Sequence, residues 1–332
     1  MTKEKILIIG SYGSSNIGDE ALLSVVLQKY SKNAEVFVLS GNSDDTLLRH
    51  KKYLDADHIA PHFPFGIRSL FSFSWIKSFK FLAQSNRVIF GGGGLFTDDY
   101  RLKAVLLWAW HVLFIRALKK PYSFLGNSFG PFKTELAKNL TTWALEAAQN
   151  VQVRDKISEK YVKELSPGSA VTCIPDLAFS YKYLPKEDLE NKERKKVLAF
   201  NIRDWRGLDI KEIEKFLDKV LFQNYGVLLI AMEAHDAKLM DSLVKRHVSV
   251  VRPKDFEELL DVLSGVEVAL GMRLHFLIAA SIARCKISGI SYSSKVEGVL
   301  QDIHVPYISA ENMKAEDLYE LFKRAEKSKV ER

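Results

Sequence analysis

Cysteine is scarce: the 332 residues contain two, Cys173 and Cys285. That excludes a disulfide framework and any four-thiolate zinc site, and both cysteines sit in runs that read as core strands. Long hydrophobic runs are also missing. The first apolar stretch is only Ile6 to Ile9, short of the ~7–15 residues of a secretion signal. The longest elsewhere, Ala104 to Ile115, is interrupted by His111 and flanked by Lys103 and Arg116, whereas a membrane span needs about 20 residues. The expectation is a soluble, cytoplasmic protein. His235, His247 and His304 lack metal-ligand spacing, and no metal motif is present. No arginine-rich arm, zinc finger or ribonucleoprotein aromatic motif is found, so no nucleic-acid partner is expected.

Apolar residues make up 47% and charged residues 27%, which is globular usage. The length exceeds the ~250–300 residues at which single cores stop growing, so two domains are expected. A net charge of +7 favours anionic partners. β-rich apolar runs alternate with amphipathic segments from end to end, the signature of parallel α/β architecture. Strands are expected at 6–9, 35–39, 57–60, 87–90, 122–125 and 151–153. Helices are expected at 19–30, 67–83, 102–118 and 134–149. A polar stretch from Tyr181 to Lys196 reads as a linker. Strands then resume at 197–202, 227–231, 248–251, 267–270 and 286–290, and a helix over 315–326 closes the chain. The reading is two consecutive Rossmann-like α/β domains, residues 1–180 and 181–332, with parallel sheets facing a central cleft. This resembles the twin-domain (GT-B) glycosyltransferase fold.

The first strand runs into Gly10-Ser11-Tyr12-Gly13-Ser14-Ser15-Asn16-Ile17-Gly18-Asp19-Glu20. The spacing is neither the dinucleotide fingerprint nor a P-loop, whose lysine is missing. Glycines at a strand-to-helix turn let backbone amides approach a ligand, while Asp19 and Glu20 either cap the helix or hold sugar hydroxyls. Strand four ends in Gly91-Gly92-Gly93-Gly94-Leu95-Phe96-Thr97-Asp98-Asp99. In a sheet ordered 3-2-1-4-5, strands one and four meet at the switch point, so both glycine loops flank one crevice. Asp98 or Asp99 would there orient or deprotonate a hydroxyl.

The second domain repeats the geometry with different chemistry. Its first strand ends in Asn201-Ile202-Arg203-Asp204, and its fourth in Gly271-Met272-Arg273-Leu274-His275, which opens a helix. Two arginines, an imidazole and a positive helix end make a pocket for a compact polyanion. His275 is the group there able to trade a proton near neutral pH. The aromatic run His62 to Phe81, with Trp75, Arg68, Lys77 and Lys80, reads as an ordinary amphipathic helix or as one that rests on a bilayer.

These segments, with Gly126-Asn127-Ser128-Phe129-Gly130-Pro131, Val153-Arg154-Asp155, Pro175-Asp176 and Gly289-Ile290-Ser291-Tyr292, occur in an order that resembles the polysaccharide pyruvyl transferases. The chain departs from that family's pattern at Thr97, Asn127, Leu177 and Ser293-Ser294. The resemblance implies transfer of the pyruvyl unit of phosphoenolpyruvate onto two hydroxyls of a sugar in a cell-wall or surface polysaccharide precursor, with release of phosphate and no cofactor. Arg203, Arg273, Leu274 and His275 would then hold the phosphoenolpyruvate, with His275 as general acid. Asp98, Asp99 or Asp19 would be the base. Gly13, Asn16, Gly18, Asp19, Glu20, Gly92, Gly93, Gly94 and Asn127 would line the acceptor side. The expected acceptor is a lipid-diphosphate-linked saccharide, with a soluble nucleotide sugar as the alternative; the lipid-linked one would suit peripheral contact with the inner membrane face. The rival reading is a nucleotide-sugar glycosyltransferase of the same fold.

Overall fold

The computed structural model describes residues 3–66, 69, 71, 73–99, 101–184, 194–245 and 247–328, with the backbone alone at 294, 295 and 302. Backbone contacts divide the chain into two units, Met1–Tyr181 and Lys182–Arg332.

The first unit holds strands β1 (Glu4–Ile9), β2 (Ala34–Ser40), β3 (Ile59–Pro61), β4 (Arg87–Phe96), β5 (Tyr122–Phe129), β6 (Asn150–Val153) and β7 (Val171–Cys173). Its helices are α1 (Ile17–Tyr30), α2 (Ser43–His50), α3 (Trp75–Gln84), α4 (Leu102–Ala117), α5 (Glu135–Glu146) and α6 (Lys156–Leu165). The sheet order is β3-β2-β1-β4-β5-β6-β7, with parallel pairing throughout. Ile6, Leu7, Ile8 and Ile9 are all fully buried. A central parallel strand is covered on both faces, which is why this one reads as an unbroken apolar run.

The second unit holds β8 (Lys195–Asn201), β9 (Gly226–Ile230), β10 (Val248–Val251), β11 (Val266–Gly271), β12 (Lys286–Ser291) and β13 (Tyr307–Ser309), in the order β10-β9-β8-β11-β12-β13. Its helices are α7 (Ile210–Phe222), α8 (Ala234–Asp241), α9 (Phe256–Ser264), α10 (Leu274–Ile282), α11 (Ser294–Asp302) and α12 (Ala315–Lys327). Leu318, Leu321, Phe322 and Ala325 of α12, one stripe at helical spacing, are buried in this unit's core beside Leu198, Phe200 and Val268.

The structure corrects several details of the sequence reading. The four glycines expected in a loop after the fourth strand belong to β4 itself, whose pairing with β5 shifts register between Gly93 and Phe96. Gly92 and Gly93 have φ of +74° and +78°, so the strand is bent there in a way that favours glycine. Of the helix expected over 67–83, the structure gives α3 from Trp75 onward, with Phe73 before it at φ +51°; residues 67, 68, 70 and 72 lie outside the described residues. Within the linker, 185–193 lie outside the described residues, and Lys195 and Lys196 already belong to β8. Edge strands β7 and β13 are three residues long and only partly buried, too short to leave an apolar run.

In the first unit α3 and α4 meet through aromatic rings, with Phe79 and Phe114 4.7 Å apart and Phe63 touching both. Two imidazoles, His62 and His111, lie 5.1 Å apart beside Trp108. His111 Nδ1 donates to the Leu107 carbonyl, whereas its Nε2 and the Nδ1 of His62 are buried with no hydrogen-bond partner. Burial pushes His62 down to about 3, helped by His111, and pushes His111 down to about 4. Both are core imidazoles.

Candidate functional site

In the first unit the C-terminal ends of β1, β4 and β5 gather around the start of α1. Tyr12 is buried there, and its hydroxyl donates to the Gly91 carbonyl. A Cβ on Gly10 or Gly91 would lie 2.5 Å from Tyr12 atoms, and one on Gly92 would lie 2.8 Å from Leu22. These glycines are therefore required by packing. Gly93 instead lies beside Asp19, whose Oδ1 would be 3.4 Å from a Cβ there, and Gly94 is exposed. Gly13, at φ +75°, leaves no room for a side chain against the Asn42 backbone and the Ser40 hydroxyl.

Asn16 is the cap of α1, accepting from the amides of Gly18 and Asp19. Glu20 does not face outward as expected of a sugar ligand. It is buried, with Oε1 accepting from the Gly13 amide at 2.8 Å and Oε2 paired with His50 Nε2 at 2.8 Å. Its role is to pin the turn. Asn127 is likewise corrected: fully buried, it donates to the Gly92 carbonyl and accepts from the Leu125 amide, which holds the β4 bend against β5.

Asp98 departs from the expected base in the same way. It is buried and accepts from the amides of Lys133 and Thr134 and from the Thr134 hydroxyl. Burial alone would raise its carboxyl, but these hydrogen bonds outweigh it and hold the group below its ordinary 3.8. A carboxylate so engaged is a weak base that fastens the loop after β5. Asp99 is more open and pairs with Lys133 at 3.0 Å. Asp19, half-buried in the first turn of α1, keeps its place beside Gly93.

One network here had no role assigned from sequence. Arg154 donates through Nε to the Ser128 hydroxyl at 2.7 Å and through Nη1 to Asp176 at 2.8 Å, while Ser128 also donates to Asp155. Burial opposes its charge, but Asp176, Asp155 and Asp19 outweigh burial and keep it cationic. The available signal was an Arg-Asp pair at one strand end and an aspartate just past the next strand.

In the second unit β8, β11 and β12 end together. Asn201, fully buried, donates to the Ile230 carbonyl and accepts from the Arg273 amide, locking three strand ends. A Cβ on Gly271 would lie 2.5 Å from Phe276, so only glycine lets α10 start so close to β11. Leu274 and half-buried His275 open α10, whose first turn has no acidic residue and no side-chain cap. First-turn amides have no intrahelical partners and carry the positive end of the helix dipole.

The expected pair of arginine clamps is not formed. Arg273 grips Glu233 in bidentate fashion at 2.8 and 2.7 Å, and Asp236 at 3.1 and 2.6 Å. Burial works against its charge, but Asp236 and Glu233 raise its pKa overall, so it stays a cation spent on two carboxylates. Arg203 differs. Its guanidinium lies 4.8 Å from the Tyr292 ring centre, Tyr292 packs on Trp205 at 5.1 Å, and its buried Nε has no hydrogen-bond partner. With Arg273 held by its two carboxylates, Arg203 and the α10 start are the groups at this edge whose chemistry suits an anion. Among the described residues, no cluster of three or more His, Cys, Asp and Glu side chains is placed to hold a metal.

Comparison with solved structures shows a GT-B-type fold. UDP-GlcNAc 2-epimerase from Methanocaldococcus jannaschii, solved with UDP-GlcNAc and UDP, matches at TM-score 0.64 and 12% identity over 99% of this chain and 94% of its own. MnaA from S. aureus, solved with UDP, matches at 0.62 and 14% over 98% and 92%. HepE from Anabaena, solved with UDP and glucose, matches at 0.60 and 11% over 98% and 90%. At the level of sequence the family model for polysaccharide pyruvyl transferase matches residues 16–294. With most of its length matched in this way, the chain belongs to the polysaccharide pyruvyl transferase family.

Proposed function

We propose that this transferase moves the pyruvyl group of phosphoenolpyruvate onto two hydroxyls of a sugar in a polysaccharide precursor. The observation that carries the reading is the second unit's strand edge. There Arg203, held on Tyr292, and the uncapped start of α10 are joined by His275 in the same helical turn. The carboxylate and phosphate of phosphoenolpyruvate suit a guanidinium plus a positive helix end.

In the proposed reaction His275 protonates carbon 3 of the enol, which makes carbon 2 electrophilic. One sugar hydroxyl adds to carbon 2 and gives its proton to a carboxylate. Asp19 or Asp99 serves as that base, since Asp98 is engaged in its loop. A second hydroxyl then attacks carbon 2 and loses its proton, the carbon–oxygen bond to phosphate breaks, and phosphate departs with the electron pair and takes up that proton. The sequence consumes no redox equivalent and calls for no cofactor. Asn16, Gly18, Asp19, Gly93 and Gly94 form the acceptor side, and the acceptor is a lipid-diphosphate-linked saccharide.

Thermal unfolding with phosphoenolpyruvate, inorganic phosphate or UDP tests the donor. Stabilisation by phosphoenolpyruvate that is lost in Arg203→Gln supports the proposal. The UDP complexes among the structural neighbours favour one rival, a nucleotide-sugar glycosyltransferase. Stabilisation by UDP and none by phosphoenolpyruvate would promote that rival and sink the pyruvyl reading.

A further inference from the structure

The geometry points to a lipid-docking face on the first unit, formed by α3, α4 and the side chains of Phe71 and Phe73, that seats the protein on an anionic bilayer. Large apolar side chains lie open to water there: Phe71 and Phe73 are 73% and 64% exposed, Ile76 is 55% exposed, and Leu106 and Leu113 on α4 are also exposed. Leu106, Trp110 and Leu113 follow at i, i+4 and i+7, so they share one stripe of α4. That stripe is tied to the exposed residues of α3 by a chain of rings. Trp110 meets Phe114 at 4.8 Å, Phe114 meets Phe79 at 4.7 Å, and Phe79 meets Trp75 at 5.6 Å. Single exposed apolar residues are ordinary, whereas five beside a ring-packed ridge mark an interaction face.

Charge decides the occupant. Between Asp57 and Glu135 the only acidic residues are Asp98 and Asp99, whereas the same stretch includes Lys77, Lys80, Arg101, Lys103, Lys119 and Lys120. Neither α3 nor α4 contains a carboxylate. Asp98 is buried, and Asp99 is paired with Lys133. Lys80, Arg101 and Lys103 are exposed beside the apolar residues. A second copy of this chain would set one basic face against another, which repels. Exposed Phe and Trp flanked by Lys and Arg is the pattern that enters the headgroup region of an anionic membrane. No described helix is long and apolar enough to cross a membrane, so the contact is peripheral.

The full chain would be sedimented with phosphatidylcholine vesicles, with and without phosphatidylglycerol, at low and high salt. The expected result is binding to the phosphatidylglycerol vesicles alone, weakened by salt. Arg101→Glu with Lys103→Glu should weaken it roughly tenfold or more, since each basic residue near such a surface adds to the attraction. Phe71→Ser, Phe73→Ser and Ile76→Ser combined should also abolish most of it. An equally exposed pair in the second unit, Leu184→Ser with Phe222→Ser, should leave binding unchanged. Melting curves that coincide with wild type confirm that the exchanged residues carry no fold. Wild-type protein that ignores both vesicles, or a triple variant that still sediments, overturns the proposal. So does a wild-type dimer that the triple variant turns into a monomer, because the face would then belong to a second copy. None of these readouts depends on the reaction assigned to the strand edges.

Discussion

Helices α1 and α10 both start where central strands of a parallel sheet end, yet they are finished in opposite ways. The start of α1 is capped by Asn16, carries Asp19 and is fastened from below by Glu20. The start of α10 has no side-chain cap and no acid, and a cation on an aromatic ring, Arg203, shares its strand edge. The same topology thus makes one turn whose first-turn carboxylates disfavour an anion and one whose bare positive end favours it. Function is written in the finishing of the helix start, since the fold itself is common to both.

The sharpest way to break this contrast is His275→Ala. Pyruvyl transfer should fall by ~10²–10⁴-fold, the usual worth of a positioned acid, while the melting temperature holds. Unchanged turnover would remove chemistry from α10. Next comes Arg273→Met, which leaves Glu233 and Asp236 without their cation. Urea unfolding should show a loss of about 3–5 kcal/mol. Adding Glu233→Gln and Asp236→Asn should restore part of it; no recovery would mean that the arginine is not held in this way.

The third prediction concerns the first unit alone. His62 and His111 titrate near 3 and 4 in the fold but near 6.5 when unfolded. Between those values the unfolded chain binds more protons, so stability is complete above about pH 6.5 and falls as pH drops. Unfolding free energies from denaturant titration at pH 7 and pH 5 should differ, by on the order of 1 kcal/mol for each histidine per pH unit below about 6.5. His62→Phe with His111→Phe should flatten that dependence, and an unaltered slope would contradict it. The smallest effect is expected for Asn16→Ala, which loses the α1 cap and about 1 kcal/mol of stability. An Asp19→Asn exchange should cost no such stability and should instead slow pyruvyl transfer in a steady-state assay; unchanged turnover would leave Asp99 as the base.

The contrast also shows why part of the site was legible in the sequence. Ile6–Ile9 and Val197–Ile202 announce central strands because burial on both faces demands continuous apolar side chains, and strand order follows from the alternation with helices. The Gly271–His275 segment could be placed at a strand end and helix start by the same logic. The partners of Arg273 could not, because Glu233 and Asp236 lie 40 and 37 residues away on another element. Asn127, Glu20 and Asp98 look like ligand-binding groups in a linear text. Each is consumed by backbone amides, carbonyls or a buried histidine that come together only on folding.

Tyr12 has a consequence for the history of the chain. Its ring and hydroxyl occupy the space that a side chain at position 10 or position 91 would need, and its hydroxyl is bonded to the carbonyl of residue 91. Three positions, two in the turn after β1 and one on β4, therefore form one heritable unit. A descendant that gains a side chain at either glycine must first surrender the tyrosine, and one that has lost the tyrosine is released to vary at both.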